Sequence, residues 1–218
     1  MDEADEPCEK LCSYCGSFRI AMKVTVIEAT REPMALIGIA AGTCYGKPWP
    51  SHDRVRRCIA NGHTSVLEHA SATFRIEGIS RACLAQLTRH RIASYSVESQ
   101  RYREVGRGDW YVTPPALEGD ELEAYRAAME AAMAAYEDAL AHGVRKEDAR
   151  YLLPMATRTT LVMTINARSL QNFLSLRLAP AAQWEIRGLA AMMDGALKAQ
   201  DDEWRELLET MEEARADD

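Results

Sequence analysis

Three arginines, one histidine and three serines crowd the fourteen residues Arg89-His90-Arg91-Ile92-Ala93-Ser94-Tyr95-Ser96-Val97-Glu98-Ser99-Gln100-Arg101-Tyr102. Guanidiniums present paired donors in a fixed fork, hydroxyls add more, and an irregular segment leaves backbone N–H groups free. That combination suits a phosphate. The stretch lacks the apolar repeats of a helix and reads as a loop. A charged loop at a helix end has the same content, and composition does not choose between the two. The charge distribution bears on the choice. The chain carries −7 overall, but residues 1–21 hold −3, residues 201–218 hold −7, and the body between them is +3. Seven arginines fall between Arg75 and Arg107, so the middle of the chain is a candidate anion site, scattered solvated arginines being the alternative.

At Arg89-His90-Arg91 followed by Ser99, with Arg101-Tyr102 behind it, the sequence resembles the signature of the flavin-dependent thymidylate synthases. Two further blocks are similar in order and spacing. Upstream stands Gly62-His63-Thr64-Ser65-Val66-Leu67-Glu68-His69. Downstream stand Asn166-Ala167-Arg168-Ser169-Leu170, Asn172-Phe173-Leu174, Leu176-Arg177 and Ala182-Gln183-Trp184-Glu185-Ile186. Between them, Asp148-Ala149-Arg150 and Leu153-Pro154 match a further segment, so the resemblance spans about residues 23–200. It implies a helix-rich α/β (mixed α+β) single domain around a small central sheet, like that of thymidylate synthase complementing proteins.

The resemblance also implies roles. FAD would lie against His63, Ser65, Arg89, His90, Arg91, Val97, Asn166, Ala167, Arg168 and Asn172. The nucleotide dUMP would lie against Gln86, Arg89, Ser99, Arg101, Arg150 and Arg177, with Leu87, Thr88, Val97, Glu98 and Gln100 contributing mainly backbone. NADPH and methylenetetrahydrofolate would be co-substrates, and the site would form between subunits of a homotetramer. Asn166 could instead simply cap a helix, and Arg150 could be a surface residue. Three positions depart from the commoner pattern: Ser96 stands for Asn, Val97 for Glu, and Ala181 for a histidine found in some members. Glu98 could take over the acid's work, although a one-residue shift reverses side-chain direction in extended chain.

The implied chemistry accounts for the residue types. Uracil C5 attacks a methylene carbon only as negative charge gathers on the N3–C4–O4 unit, and a fixed guanidinium facing that unit stabilises it. Arg177 is the candidate. Hydride chemistry belongs to the flavin, which the protein orients. Thymidylate synthases of the other kind use a cysteine thiolate, and nothing here resembles that site. Cys83 sits among Ala82, Leu84 and Ala85 as a helix residue, while Cys44 and Cys58 have no evident base. Ser99 also lacks a base and reads as a ligand of the nucleotide. Cys8, Cys12 and Cys15 match the C-x3-C-x-aromatic-C spacing of radical S-adenosylmethionine enzymes, whose thiolates hold a [4Fe–4S] cluster. Such enzymes need a large barrel after the motif, so no metal is expected and the leader reads as an upstream extension, with a metal-binding leader as the alternative. A non-catalytic nucleotide- or metal-binding protein on a degenerate version of the fold is the competing class. The arginines lack interleaved stacking aromatics, so no nucleic-acid partner is expected.

The elements that must position these residues follow from periodicity. Lys23–Glu28 alternates as a strand containing Val24 and Ile27. Pro33 opens a helix through Ala41 that Gly42 closes. Residues 52–61 are helical up to Gly62. Ala72, Phe74, Ile76 and Gly78 share one strand face, and Ser80 caps a helix leading into Arg89. Leu122, Tyr125, Met129, Met133, Tyr136 and Leu140 mark a core-facing helix over 120–142. Helices over Lys146–Leu153, Ala167–Leu178 and Ala182–Gln200, with a strand over Thr159–Ile165, complete the reading. Residues 1–21 are expected to be a poorly ordered acidic leader, 22–200 the domain, and 201–218 an acidic tail into which the last helix extends. The acidic leader lacks the marks of a signal peptide, and no apolar run approaches the ~20 residues of a membrane span. A cytoplasmic protein without membrane partners is the expectation.

Overall fold

The computed structural model describes residues 22–216. Cys8, Cys12 and Cys15 lie outside the described residues. Strands β1 (Lys23–Ala29), β2 (Ser71–Ser80), β3 (Ala93–Val97) and β4 (Arg158–Asn166) form one antiparallel sheet in the order β1-β2-β4-β3. Eight helices accompany them: α1 (Pro33–Thr43), α2 (His52–Ala60), α3 (Arg81–Leu87), α4 (Gly119–Ala141), α5 (Lys146–Ala149), α6 (Ala167–Arg177), α7 (Trp184–Lys198) and α8 (Asp202–Ala216). Short 3-10 turns occupy Thr64–His69 and Arg150–Leu152. The architecture is the helix-rich α/β domain expected.

Period-two alternation builds the core. Ala72, Phe74 and Ile76 on β2 and Leu161, Met163 and Ile165 on β4 point to one face, where they are buried with Leu170 and Phe173 of α6 and Ile186 and Leu189 of α7. Thr73 and Thr164 face the other way and share a hydrogen bond of 2.9 Å. The alternation does not run through Gly78 as expected. Glu77 faces Thr160 and Ile79 faces Thr159, so Gly78 is a bulge residue at φ 78° and Ile79 takes the buried place. A second irregularity between Val26 and Glu28 leaves Ile27 half exposed.

Three further expectations are corrected. Gly42 does not close α1, which runs to Thr43. The chain folds back there, Lys47 N–H donating to the Gly42 carbonyl at 3.0 Å, and a Cβ would overlap the Lys47 carbonyl and the Arg54 guanidinium. The stretch 89–102 is not all loop. Tyr95 and Val97 pack inward while Ser94 and Ser96 face out, so Ala93–Val97 can serve as an edge strand on β4. Finally, only Lys146–Ala149 is α-helical in its segment, and the 3-10 turn beginning at Arg150 follows.

The last helical region is two helices. Gln183 caps α7 by accepting from the backbone of Glu185 and Ile186 at 2.9 and 3.2 Å. Asp201 starts α8 afresh by accepting from Trp204 N–H at 2.7 Å. On α8, Trp204, Leu207, Leu208 and Met211 fall on one face and are buried in the main core, and the Trp204 indole donates to the Thr30 carbonyl at 3.0 Å. Met129, Met133 and Tyr136 on α4 are buried in a smaller core with Trp110 and Ala149.

Trp204→Ala should therefore cost about 3–5 kcal/mol of stability, the range for truncating a large buried aromatic. Ile27→Ala should cost no more than about 0.5 kcal/mol, as for exposed sites. Urea titration of both variants tests the pair, and a mild effect at Trp204 would mean that α8 is dispensable to the fold.

Candidate active site

Strand β3 separates two groups of candidate residues. Helix α3 leads into the first. Ser80 caps it, its Oγ accepting from Cys83 N–H at 2.9 Å. Beyond Leu87 the chain turns tightly, with His90 N–H donating to the Leu87 carbonyl at 3.1 Å. The Tyr95 hydroxyl holds this turn from β3, lying 2.7 Å from the His90 carbonyl and 3.0 Å from that of Leu87. Burial pushes that phenol up to about 12, so it stays a donor. Arg89 and Arg91 are exposed, and His90 turns inward.

His90 meets α6. Its ring stands edge-on to Phe173 at 4.9 Å, and its Nε2 accepts from Arg177 Nε at 3.0 Å. Arginine can only donate, so Nε2 is the bare nitrogen of a neutral imidazole. Burial, and secondly the Arg177 charge, lower the His90 pKa. At the other end of α6, Asn166 does act as the cap, its Oδ1 accepting from Ser169 N–H at 2.8 Å. Its amide NH2 has no acceptor among the described residues. Ala167 is buried and its N–H donates to the Ala70 carbonyl at 2.8 Å, which ties the turn bearing His63 and Ser65 to the start of α6. Because Ala93 faces Ile165, the segment entering β3 arrives where β4 ends at Asn166. His63, Ser65, Arg89, Arg91, Asn166, Arg168 and Asn172 are thus gathered at one end of the sheet. Arg89, Arg91 and Arg168 make no ion pair among the described residues.

The second group lies at the far end of β3. Glu98 N–H donates to the Thr160 carbonyl at 2.9 Å, and Ser99 Oγ accepts from Arg101 N–H at 3.3 Å. Arg101 Nε binds Glu147 at 3.0 Å, while Arg150 Nε donates to the Glu147 carbonyl at 3.0 Å, so one residue brings both arginines together. Arg103 pairs with Glu98 at 2.7 Å. A cavity of about 180 Å³ opens beside this loop between Arg81, Ser99, Gln100, Arg103, Trp110 and Arg158. Leu87 is fully buried, while Val97 is partly buried against the core. The Thr88 hydroxyl donates to the Leu84 carbonyl at 3.0 Å. Gln86 is half-buried on α3.

Among the described residues, no hydrogen bond or ion pair joins Arg177 to Ser99, Arg101 or Arg150. Five strand residues at roughly 3.3 Å each put about 13 Å or more between the two ends of β3. Sequence reasoning also passed over Glu147, which orders the arginines, and Tyr95, which fixes the turn. Their signals, one acid near Arg150 and one aromatic among serines, are too common to stand out. Cys83 is buried, and burial reinforced by the Glu185 carboxylate pushes its thiol far up, which rules it out as a thiolate. No group of three metal-ligating side chains occurs among the described residues.

Fold and site thus define a helix-rich α/β domain in which the guanidiniums of Arg89, Arg91 and Arg168 make no ion pair among the described residues. The family model for thymidylate synthase complementing proteins matches residues 25–201. The flavin-dependent thymidylate synthase of Pyrococcus abyssi is 40% identical over 188 residues, 79% of this chain and 77% of that one. That of Geobacter sulfurreducens is 43% identical over 187 residues, 79% of this chain and 80% of that one. Among solved structures, ThyX from Helicobacter pylori with FAD and dUMP superposes with a TM-score of 0.70 at 29% identity, covering 87% of this chain and 98% of that one. The UMP/dUMP methylase PolB of Streptomyces cacaoi, bound with 5-Br dUMP, gives 0.74 at 27%, covering 85% and 94%. The chain belongs to the thymidylate synthase complementing protein family, the flavin-dependent thymidylate synthases.

The neutral His90 has a pH signature. Its folded pKa lies below the ordinary 6.5, so in the interval between them the unfolded chain binds the extra proton. Stability therefore rises with pH there, is complete above the unfolded value, and is lost as pH falls through the folded one. His90→Gln should flatten the fall in melting temperature between about pH 7 and pH 5, the range in which imidazole titrates. Parallel curves for the two proteins would show that His90 makes no such contribution.

Proposed function

We propose that the chain methylates dUMP at C5 to give dTMP, with methylenetetrahydrofolate as carbon donor and FAD, reduced by NADPH, as hydride source, releasing tetrahydrofolate. The observation that carries this reading is the His90–Arg177 pair, flanked by the unpaired guanidiniums of Arg89, Arg91 and Arg168. The residues fit FAD: a diphosphate needs several guanidiniums free of carboxylates, and these three have none among the described residues. His63, Ser65, Asn166 and Asn172 would share in holding it, with Ala167 offering backbone. When bound, the flavin supplies hydride chemistry.

The chain's own work is electrostatic. Arg177 carries a full charge on a side chain whose Nε is pinned, leaving its two terminal nitrogens to face the uracil N3–C4–O4 unit as negative charge gathers there. A cationic His90 would repel Arg177, and a neutral one positions it. At the other end, Arg101 and Arg150 would take the phosphate, with Ser99 and the Glu98–Gln100 backbone as further donors.

A base on Arg177 and a phosphate on Arg101 of the same chain would straddle β3, which supports a site shared between subunits of a homotetramer. Ile92, Tyr151 and Leu176 support it too. These large apolar residues are 74%, 83% and 54% exposed beside Arg91, Arg150 and Arg177, where an interface would cover them. Preference for NADPH and a cytoplasmic location belong to the same reading.

With methylenetetrahydrofolate and NADPH, the purified protein should be yellow and form dTMP and tetrahydrofolate in equal amounts. Arg177→Ala should cut turnover far more than dUMP affinity, since its contact is strongest in the transition state. Cys44→Ala, Cys58→Ala and Cys83→Ala should each retain turnover. A colourless, folded protein that takes up no FAD would refute the reading.

Mixing supplies an independent check on shared sites. Arg177→Ala and Arg101→Ala subunits, each nearly inactive alone, should recover activity when co-assembled, because some sites then draw both wild-type arginines from different chains. Co-assembled mixtures that stay inactive would place each complete site within one chain.

A further inference from the structure

Arg81, the first residue of α3, lines the cavity beside the Ser99 loop but has been given no role there. Its Nη2 donates to the Glu98 carbonyl at 2.9 Å, while the Glu98 N–H donates to Thr160 on β4, also at 2.9 Å. The peptide groups on both sides of residue 98 are thereby held, one by a guanidinium and one by a strand. Ser99 begins at the next bond. Its carbonyl accepts from Tyr102 and Arg103 N–H at 3.2 and 3.0 Å, and its hydroxyl from Arg101 N–H. The turn that carries Ser99 and Arg101 is rooted at the carbonyl that Arg81 grips.

The grip is built on a rigid base. Arg81 and Ala82 N–H donate to the Thr157 and Met155 carbonyls, both at 3.0 Å. Just before them, the buried Glu185 carboxylate accepts from Ser80 N–H at 2.7 Å and from Ser80 Oγ at 2.6 Å. It is also costly. Burial lowers the Arg81 pKa, opposed by the Glu98 carboxylate and reinforced by the Arg150 charge, and Arg81 Nε is buried without a partner among the described residues. A buried donor left open costs stability, so this guanidinium is a poor choice as a mere structural tie. Its return is the placement of one carbonyl.

We propose that Arg81 is a positioning residue: by holding the Glu98 carbonyl it sets Ser99 and Arg101 for the phosphate of the nucleotide, and so governs preference for nucleotide over nucleoside. This rests on the reading of Ser99 and Arg101 as phosphate contacts.

Calorimetric titration of the flavin-loaded full chain with dUMP and with deoxyuridine tests it, using Arg81→Lys, Arg81→Gln and, as a control, Arg101→Ala. Lysine keeps the charge but lacks the planar fork, so it separates placement from net charge. Both Arg81 variants should weaken dUMP by about 10-fold or more, on the scale of one charge-assisted contact. They should leave deoxyuridine within about twofold, since the nucleoside lacks the phosphate contact. The KM for dUMP should rise much more than kcat falls, with flavin content and melting temperature as in the wild type. Equal loss of deoxyuridine binding, a lowered melting temperature in both variants, or wild-type dUMP affinity in Arg81→Lys would overturn the inference. If Arg101→Ala weakens dUMP and the Arg81 variants do not, this inference falls alone. If Arg101→Ala also leaves dUMP affinity intact, the phosphate reading falls with it.

Discussion

Strand β4 pairs with β2 on one edge and with β3 on the other, and every candidate residue takes its position from those two ladders. Asn166 ends β4 and caps α6, so the strand's register fixes where α6 starts and hence where Arg177 arrives eleven residues later. The same strand sets Ala93 against Ile165 at one end and receives Glu98 N–H on Thr160 at the other. A one-residue slip would turn Tyr95 outward, releasing the His90 turn, and would carry the arginine loop away from Arg150. The bulge at Gly78 belongs to this constraint. It resets the phase of β2 so that Ser80 meets the buried Glu185 and α3 starts in the right direction.

The arginines then divide by what they touch. Arg56, Arg107, Arg126 and Arg205 pair with carboxylates on the surface, where solvent screens such pairs and they contribute little. Arg89, Arg91, Arg168 and Arg177 have no carboxylate partner among the described residues. Leaving several cations unpaired near one another disfavours the free protein. The arrangement makes sense where an anionic ligand completes it.

Much of this was legible in the sequence, and the exceptions have physical reasons. Period-two and period-3.6 patterns gave β1, β2, β4, α4 and α6 because each buries one face. Ser80 and Asn166 announced their helices by capping chemistry. Strand β3 was hidden because an edge strand with one solvated face needs only Tyr95 and Val97 to point inward, and its serines and flanking arginines read as loop. Gly42 misled because glycine serves both to end helices and to admit a close backbone contact, and only the fold shows which. The two anchors of the site, Tyr95 and Arg81, act through main-chain carbonyls. A carbonyl acceptor leaves no mark on residue type, so no pattern of side chains could have disclosed them.

The proposed use of a guanidinium in place of a thiolate has consequences for the fold around it. A thiolate must be made by lowering a pKa, which calls for a cation or helix terminus near an accessible sulfur. Cys83 has the reverse surroundings, burial and a carboxylate, and is held as a thiol. A guanidinium arrives already charged, and the difficulty moves to aiming it. Arg177 has several rotatable bonds, and its Nε bond to His90 removes most of that freedom without neutralising the charge, since the acceptor is itself neutral. A carboxylate in the place of His90 would hold the arginine more tightly but would spend its charge before the substrate developed any. A neutral imidazole, kept so by burial and by the cation it orients, is the acceptor that aims the arginine and leaves its field intact.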